Sequence, residues 1–462
     1  MKVFLIFPSS GIENRQGRKE PLGVCYISAY LRKYGHTTRV IDQIGESDDD
    51  IIDEVHTFKP DAVGFSTMTY NYPKGLLLAT RIKNEYKDIP IIFGGVHASG
   101  MPDIVKEKAI DFVSIGEGEK TILELVNALE ENAVDFEKIK GISYLKDGKV
   151  FITAPRERIT NLDDLPFPDR TSLPMRKYRG RELKYLFNRR MATIHTARGC
   201  SGNCTFCTTP VLYKGGWIAR SAKNIVDEIE QLIKTYHIKS IFFADEDFMK
   251  DKNRVYEICD EIIRRKIIIA WFCFSKITDV EITILRRMKE AGCINIMIGI
   301  EAMHDDSLKK IAKKITVEKI REAIKIANKT GLLIGGTYMI GYPWETNDDL
   351  LLGLRELKKL RLDHIYLNFI TPFPGTPFYK DCEKKGLLDS GDFTHYDCYS
   401  PIVGAKLSPR LDYRKMRKKI EHRLNINIVY AIKVLKNVLG QYKKSINIST
   451  KKIMNIVKGV SK

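Results

Sequence analysis

Short apolar runs alternate with stretches of helical periodicity over residues 1–135. The runs of strand length are Lys2–Phe7, Thr38–Asp42, Asp61–Ser66, Pro90–Phe93 and Asp111–Ile115. Apolar residues at helical spacing lie between them, for example over Leu22–Lys33 and Lys74–Tyr86. Strands separated by helices predict a parallel sheet that is covered on both faces. We therefore expect a doubly wound α/β domain over residues 1–140.

A hairpin and a linker are predicted over residues 141–190. The segment Gly141–Thr153 carries Asp147-Gly148 at its centre, and this pair is typical of a two-residue hairpin turn. A stretch with Pro and Arg residues continues to about Asn188. We interpret it as an ordered linker, because proline and turn residues interrupt both helical and strand periodicity.

A second alternation of strands and helices follows over residues 191–400. Its six strand candidates are Ala192–Thr196, Ser240–Ala244, Ile267–Cys273, Ile294–Ile300, Leu333–Ile340 and His364–Ile370. Helical patterns fit the gaps, for example Ala222–Tyr236, Lys252–Arg265 and Val317–Thr330. Repeated strand–helix units predict a partial (β/α)6 TIM-type barrel, with the functional groups where the strands end.

The composition is that of a soluble globular protein, with 44% hydrophobic and 29% charged residues among 462. No apolar run approaches the roughly 20 residues that a membrane-spanning helix needs. The apolar start of the chain is too short for a signal peptide, so we interpret it as a buried strand. The expected compartment is the cytoplasm.

Most of the net charge of +18 belongs to the C-terminal tail, residues 401–462. From Lys406 onward the chain has 16 Lys and Arg residues but only two acids, Asp412 and Glu421. The first 405 residues therefore give no electrostatic reason to expect a nucleic-acid partner. The tail reads as helices whose apolar stripe is Ile428, Ile432, Leu435, Val438 with Leu439, and Tyr442. A solvated helix face, peripheral contact with an anionic membrane and binding of RNA all fit this pattern.

Three of the nine cysteines fall within eight residues, as Cys200, Cys204 and Cys207 in the spacing C-x3-C-x2-C. They directly follow the first predicted barrel strand. A zinc site usually takes four ligands, and no nearby His or Cys offers an obvious fourth. A four-iron cluster with three protein thiolates keeps one iron open. The amino and carboxylate groups of S-adenosylmethionine can chelate such an iron, and one electron from the cluster can then split the sulfonium to give a 5′-deoxyadenosyl radical.

This spacing, with Phe206 before the last cysteine, resembles the radical S-adenosylmethionine superfamily. The resemblance implies that Cys200, Cys204 and Cys207 hold a 4Fe-4S cluster. Phe243–Phe248 resembles the family's acidic motif near the methionine amino group, although Asp245-Glu246-Asp247 stands where two glycines and a glutamate are common. Which acid touches the ligand is therefore left open. The residues that the resemblance places around S-adenosylmethionine are Phe206, Asp245, Glu246, the ribose-binding candidate Glu301, and Ile340 and Gly341 of a motif near adenine.

The first domain resembles the cobalamin-dependent subgroup of these enzymes. The resemblance covers about residues 1–400 and includes Pro21-Leu22-Gly23, Gly64-Phe65-Ser66, Gly94–Ser99, Gly116–Glu119 and Thr371–Pro377. It implies a glycine-lined shelf for the corrin ring. The predicted cobalamin contacts are Pro21, Leu22, Gly23, Ser66, Thr67, Gly94, Gly95, His97, Gly116, Glu117 and Gly118. The D-x-H-x-x-G motif is absent, so His97 is expected to be a polar neighbour more than a cobalt ligand. A domain without cofactor is the alternative.

The resemblance implies transfer of a methyl group to an unactivated carbon by way of a 5′-deoxyadenosyl radical. It also implies a small or lipid-like substrate and an external electron donor of flavodoxin or ferredoxin type. A radical cyclase or oxidase, in which cobalamin donates no methyl group, is the first alternative. A cobalamin- or cluster-dependent sensor is the second, but the matches at Glu301 and Gly336–Glu345 concern S-adenosylmethionine and favour an enzyme. Methylthiotransferases carry three further N-terminal cysteines, whereas the first half of this chain has only Cys25.

Overall fold

Two sheets, one after the other along the chain, carry the fold. The computed structural model describes residues 1–9, 19–133, 135–178, 190–388, 391–403 and residue 415. The predicted tail helices and their apolar stripe lie outside the described residues. Among the described residues, no helix is long and apolar enough to cross a membrane.

The first sheet has seven strands in the order β2-β1-β3-β4-β5-β6-β7. The strands are β1 (Lys2–Phe7), β2 (Thr37–Asp42), β3 (Ala62–Ser66), β4 (Ile91–Gly94), β5 (Phe112–Ser114), β6 (Ile142–Lys146) and β7 (Lys149–Ile152). The helices between them are α1 (Leu22–Lys33), α2 (Asp48–Phe58), α3 (Tyr72–Glu85), α4 (Val96–Gly100) and α5 (Gly118–Glu130). The first five strands run parallel, as the alternation of strands and helices predicts.

The predicted hairpin is present and joins the first sheet. Its turn residues Asp147 and Gly148 both have positive φ, 49° and 73°. The first hairpin strand, β6, pairs antiparallel with β5, so the hairpin adds two strands to the sheet. The segment after it is ordered where it is described, because Ile159, Leu165 and Tyr178 are buried. The boundaries between the four predicted domains stay predictions.

The second sheet has six parallel strands that follow one another in sequence order. They are β8 (Met191–Ile194), β11 (Ser240–Phe243), β12 (Ala270–Ser275), β13 (Cys293–Glu301), β14 (Leu333–Ile340) and β15 (His364–Phe369). The short strands β9 (Ala197–Gly199) and β10 (Trp217–Ala219) pair separately and antiparallel. The helices are α6 (Thr209–Tyr213), α7 (Ala222–Tyr236), α8 (Lys252–Arg264), α9 (Ile282–Glu290), α10 (Asp305–Lys310), α11 (Val317–Asn328), α12 (Asn347–Lys359) and α13 (Pro377–Lys384). The predicted fold class of a doubly wound sheet followed by a partial barrel is confirmed for these parts.

Alternation along the barrel strands separates two apolar layers. Phe243 and Trp271 belong to the large core that also includes residues of the surrounding helices. Met191, Phe242 and Phe272 form a separate buried cluster with the half-buried Phe274 beside it. Because successive strand side chains point to opposite faces, this second cluster lies on the inner wall of the barrel. The inner wall is therefore apolar and aromatic on the side of β8, β11 and β12.

The open edge of the barrel is covered by side chains from outside it. Strand β8 is an edge strand, and Thr193 lies at its centre. The carboxylate of Glu20 accepts a hydrogen bond from the Thr193 main-chain N–H at 3.1 Å, and Arg170 donates to the Thr193 carbonyl at 2.7 Å. Unpaired edge groups are thereby satisfied without a further strand. Glu20 precedes α1, so this contact also joins the first domain to the barrel.

Candidate functional site

A cavity of about 450 Å³ lies between the two domains. Nine of the predicted cobalamin residues line it: Pro21, Leu22, Gly23, Ser66, Gly94, Gly95, Gly116, Glu117 and Gly118. They follow strands of the first sheet or open the helices after them, as ligand-binding residues of doubly wound sheets do. The opposite wall comes from the barrel domain, with His195, Arg198, Leu212, Tyr213 and Glu246. The cavity therefore reaches from the first domain to the segment that leads into the cysteine triplet.

Several glycines line the first-domain wall of the cavity. Gly95 has φ 92°, and a Cβ there would lie 2.7 Å from the Thr67 carbonyl oxygen. Only glycine adopts this conformation and allows this approach without strain. At the neighbouring Gly94 the nearest atom would be 3.7 Å away, in the Ser114 side chain. The wall thus requires glycine at position 95, whereas position 94 has room for a Cβ atom.

Thr67 and His97 do not line this cavity. The Thr67 carbonyl accepts a hydrogen bond from the His97 main-chain N–H at 3.2 Å, behind the glycine wall. The His97 ring stacks on Tyr72 at a centroid distance of 4.2 Å and meets the edge of Phe393 at 4.9 Å. Burial lowers the pKa of His97 to about 4. Among the described residues, neither of its ring nitrogens has a hydrogen-bond partner.

The cysteine triplet lies on the loop after β9, and main-chain bonds hold the loop at its centre. The Thr205 N–H donates to the Ile311 carbonyl at 3.0 Å, and the Thr205 carbonyl accepts from the Phe378 N–H at 3.0 Å. The half-buried Phe206 packs against the large core beside this point. The loop is thus fixed between the end of α10 and the start of α13.

The three thiols share one environment. A Cβ on Gly202 would lie 3.4 Å from Cys200 Sγ and 4.0 Å from Cys204 Sγ. The Thr209 N–H donates to Cys207 Sγ at 3.4 Å. Burial raises the pKa of both Cys204 and Cys207. Within the described part of the chain, no three side chains of His, Cys, Asp or Glu converge closely enough to hold a single metal ion. A 4Fe-4S cluster does not need the three thiols to converge on one point, since each thiolate binds a different iron.

The three consecutive acids after β11 have different surroundings. Asp245 is buried and accepts hydrogen bonds from the Thr196 and Ala197 N–H groups at 2.6 and 3.2 Å. Asp247 is buried and pairs with Lys276 at 2.6 Å. Glu246 lies between them and lines the cavity, with its Oε2 buried and without a partner in the described structure. Burial raises the pKa of Glu246 to about 7. Of the three, Glu246 alone presents a free carboxyl oxygen to the cavity.

The other predicted S-adenosylmethionine residues lie at the carboxyl ends of β13 and β14. Glu301, with φ 65°, ends β13, and its Oε1 accepts hydrogen bonds from Lys313 Nζ and Thr337 Oγ1, both at 3.1 Å. Ile340 ends β14 and is buried. Gly341 follows it with φ 81°, and its N–H donates to Glu345 at 2.9 Å. These residues meet at the same edge of the barrel as the cysteine loop.

Arg198 joins the two walls of the cavity. It lies two residues before Cys200 and donates to Glu117 at 2.9 Å and to Glu119 at 2.6 Å. Its guanidinium also lies over the Tyr26 ring, 5.0 Å from the centroid. Because Arg198 contacts both Tyr26 of α1 and the two glutamates of the motif Gly116–Glu119, this motif and the cysteine loop are held in one arrangement.

Several cavity residues were not predicted from the sequence. His195, Arg198 and Tyr213 line the barrel wall, far along the chain from the glycines they face. Burial, with the nearby Arg198 charge, lowers the pKa of His195 to about 4. No motif marks His195 or Tyr213. Arg198 could have been suspected because it adjoins the triplet, but its partners could not.

Two known protein families match the chain, one over the first domain and one over the barrel domain. The B12 binding domain family matches residues 10–126, and the Radical SAM superfamily matches residues 194–354. An uncharacterized methyltransferase of Pyrococcus horikoshii is 31% identical over 88% of this chain and 88% of its own length. The chain belongs to the cobalamin-dependent radical S-adenosylmethionine enzymes.

Two further members of this family differ in their chemistry. The anaerobic magnesium-protoporphyrin IX monomethyl ester cyclase of Rubrivivax gelatinosus is 29% identical over 87% of this chain and 73% of its own length. The radical S-adenosylmethionine methyltransferase TsrM of Kitasatospora setae, solved with cobalamin and a 4Fe-4S cluster, has a TM-score of 0.69. Its alignment covers 83% of this chain and 75% of that one at 18% identity, a level that shows the shared fold.

These matches confirm the predicted family, the prediction of an enzyme and the predicted cofactor set of cobalamin, 4Fe-4S cluster and S-adenosylmethionine. The described residues also fit these groups. No side chain fills the first-domain wall at Gly94, Gly95 and Gly116, and the buried Ser114 Oγ and Glu246 Oε2 in the cavity wall have no partner among the described residues. The roles of single residues stay predictions.

Proposed function

We propose that this enzyme transfers a methyl group to an unactivated carbon of a small substrate with an apolar portion. The observation that carries the proposal is the cavity that continues from the glycine wall of the first domain to the segment before the cysteine triplet. When bound, the cofactors supply a carbon-centred radical and a transferable methyl group. The protein's part is to bring them to the substrate in a fixed geometry, which lowers the entropic cost of the reaction.

Each site residue then has a defined task. Cys200, Cys204 and Cys207 hold the cluster, with the loop fixed through Thr205. Glu301 and Gly341 bind S-adenosylmethionine at the ends of β13 and β14, together with the neighbouring Phe206 and Ile340. The nine glycine-wall residues that line the cavity hold cobalamin, while Thr67 and His97 support that wall from behind.

The acidic motif has two tasks in this proposal. Asp245 is a positioning residue, because its oxygens already hold the main chain of Thr196 and Ala197 just before the triplet. Glu246 contacts the bound ligands, because its carboxyl group lies in the cavity wall. The motif's departure from two glycines and a glutamate therefore moves one acid into a structural role.

The inner wall of the barrel supports a substrate with an apolar portion. Met191, Phe242 and Phe272 are buried there, and the half-buried Phe274 extends this surface toward the carboxyl ends of the strands. Aromatic walls of this kind bury apolar ligand surface at roughly 25 cal/mol per Å². Of these side chains, the half-buried Phe274 has surface left for the alkyl or ring portion of a small or lipid-like substrate.

The decisive experiment uses S-adenosylmethionine with a labelled methyl group. The reconstituted enzyme, a low-potential reductant and candidate substrates would be assayed for labelled product and 5′-deoxyadenosine, with and without cobalamin. We expect labelled product only when cobalamin is present. Formation of 5′-deoxyadenosine at the same rate without cobalamin, and no labelled product, would contradict the proposal.

A cyclase is the second candidate function, since the Rubrivivax cyclase aligns with 87% of this chain. A cyclase would consume S-adenosylmethionine and alter the substrate without retaining the labelled methyl group. The same experiment therefore separates the two functions by the label in the product.

Two partners belong to this proposal. An external donor of flavodoxin or ferredoxin type supplies electrons to the cluster. The basic tail brings the enzyme to anionic membranes, where lipid-like substrates lie, since each basic residue near such a surface contributes about 1 kcal/mol. Pelleting with anionic liposomes, for the full chain and for a chain ending at Ser408, tests the tail. Equal amounts in both pellets would contradict membrane contact.

A further inference from the structure

A group of exposed lysines lies against the outside of the cysteine loop. The segment Lys309-Lys310-Ile311-Ala312-Lys313-Lys314 has four lysines and no acid. Its Ile311 carbonyl accepts the hydrogen bond from Thr205, between Cys204 and Cys207. Lys309, Lys310 and Lys314 are exposed, and we call these three the lysine patch.

The turn after α10 directs the patch outward. Ala312 and Lys314 have φ of 55° and 53°, so the chain reverses within a few residues. Lys313 points inward and pairs with Glu301 at 3.1 Å, whereas Lys310 lies over the Trp344 ring at 5.2 Å from its centroid. Many lysines of this protein form ion pairs, but no acid among the described residues pairs with Lys309, Lys310 or Lys314.

The cysteine loop is itself accessible beside the patch. Ser201 and Asn203 are exposed, while Cys200 before them and Cys204 and Cys207 after them are half-buried. A protein that touched Ser201 and Asn203 would come close to the cluster, because both residues lie between Cys200 and Cys204.

We propose that the lysine patch and the exposed residues Ser201 and Asn203 form the docking surface for an acidic one-electron carrier protein. The inference rests on the proposed function, because only a cluster that must be reduced needs a donor. The reduced carrier loses one electron, the oxidised cluster gains it, and no proton or ligand is exchanged. Positive charge around the point of electron entry speeds encounter with an acidic partner and fixes its orientation.

Lysines at a helix end also have a simpler explanation. Lys309 and Lys310 lie in the last turn of α10, where a cation stabilises the helix through its dipole. Lys314 lies beyond the helix and gains nothing from it. The test must therefore measure transfer from a protein donor and not stability alone.

The test is anaerobic stopped-flow reduction of the reconstituted enzyme by reduced flavodoxin, followed by bleaching of the cluster. The variant carries Lys309→Glu, Lys310→Glu and Lys314→Glu. The matched control carries Lys87→Glu, Lys108→Glu and Lys138→Glu, three exposed lysines of the first domain. We expect the patch variant to be reduced about tenfold more slowly at low salt, with the difference lost at about 1 M salt. The control triple should behave as the unmodified enzyme.

Reduction by dithionite, a small reductant, is measured for each protein in parallel. It should proceed at the same rate in all three, which shows that the cluster and its potential are intact. Equal flavodoxin rates for the patch variant and the unmodified enzyme would overturn the docking surface, as would equal slowing in the control triple or with dithionite. Loss of anionic liposome or RNA binding in the patch variant, with an unchanged flavodoxin rate, would assign the patch to a polyanion instead. Absence of 5′-deoxyadenosine from the dithionite-reduced unmodified enzyme would contradict the proposed function, and not the patch.

Discussion

Arg198 donates a hydrogen bond to Glu119 at 2.6 Å across the boundary between the two sheets, and both side chains are buried. Glu119 lies in the first turn of α5, within the motif Gly116–Glu119, and Arg198 lies two residues before Cys200. The wall proposed for cobalamin and the loop proposed for the cluster are therefore held by one guanidinium. A shift of one domain relative to the other would break this hydrogen bond even if both sheets kept their structure.

Replacing Arg198 with Met should destabilise the apoprotein and weaken cobalamin binding. Two buried carboxylates, Glu117 and Glu119, would lose their shared cation, a change that typically costs about 3–5 kcal/mol. Urea denaturation of the apoprotein measures the free energy of unfolding, and titration with cobalamin measures the affinity. Arg321 is the matched control, because it also contacts two glutamates, at 3.1 and 2.8 Å, but on the surface. Arg321→Met should leave the free energy of unfolding nearly unchanged, because exposed ion pairs add little to stability. Equal losses in both variants would show that the buried position of Arg198 is not what matters.

Replacing Gly95 with Ala should destabilise the first domain and reduce cobalamin binding. The new Cβ would meet the Thr67 main chain at 2.7 and 2.9 Å in a conformation that L-residues avoid. Backbone strain of this kind costs about 1–3 kcal/mol. Gly94→Ala adds the same methyl group to the same wall with 3.7 Å of clearance. We expect Gly94→Ala to keep the thermal midpoint of the unmodified protein. Equal midpoints for both variants would show that the stability of the wall does not depend on the backbone conformation at position 95.

The sequence predicted the large elements because their periodicity is strong. The six barrel strands and the strands β1–β5 all occur near their predicted places, and Gly95 was found because its neighbours repeat the strand-end glycine pattern. Strand β12 starts at Ala270 and not at Ile267, because the Ile267 N–H still bonds the Ile262 carbonyl at the end of α8. Apolar residues that close a helix cannot be told from strand residues by composition.

The site was only partly predictable for a related reason. Asp245 and Glu246 are adjacent in sequence, and only the fold shows that one holds the main chain while the other lines the cavity. The barrel wall of the cavity includes His195 and Tyr213, which no local pattern connects to Gly94 or Gly116. Motifs identify groups that are close along the chain, whereas a cavity between domains is built from groups that are distant along it.

Replacing Glu345 with Gln should flatten the pH dependence of stability. Burial raises the pKa of Glu345 to about 7 from its usual 4.5, although the Gly341 N–H opposes the shift. Between these values the folded protein holds more protons than the unfolded chain, so the free energy of unfolding should fall as the pH rises from about 5 to 8. The Gln variant keeps an oxygen for Gly341 but does not titrate.

Urea denaturation at pH values from about 5 to 8 checks this prediction for the unmodified protein, Glu345→Gln and the exposed control Glu257→Gln. At the upper end Glu345→Gln should be more stable than the unmodified protein, by a margin on the order of 1–3 kcal/mol. The control should follow the unmodified protein. Parallel curves for all three proteins would show that Glu345 does not titrate in this range.

The central proposal is that the three cysteines of the loop hold a 4Fe-4S cluster with an iron open to S-adenosylmethionine. It is tested by electron paramagnetic resonance of the anaerobically reconstituted, one-electron-reduced protein, before and after addition of S-adenosylmethionine. The unmodified chain and a variant with Cys382→Ala, a buried cysteine outside the loop, should both give the signal of a 4Fe-4S cluster that changes when the sulfonium binds. Cys204→Ala should give no such response. Zinc at the three thiolates, or a cluster signal that added S-adenosylmethionine leaves unchanged, would contradict the proposal that this loop holds a cluster with an open iron.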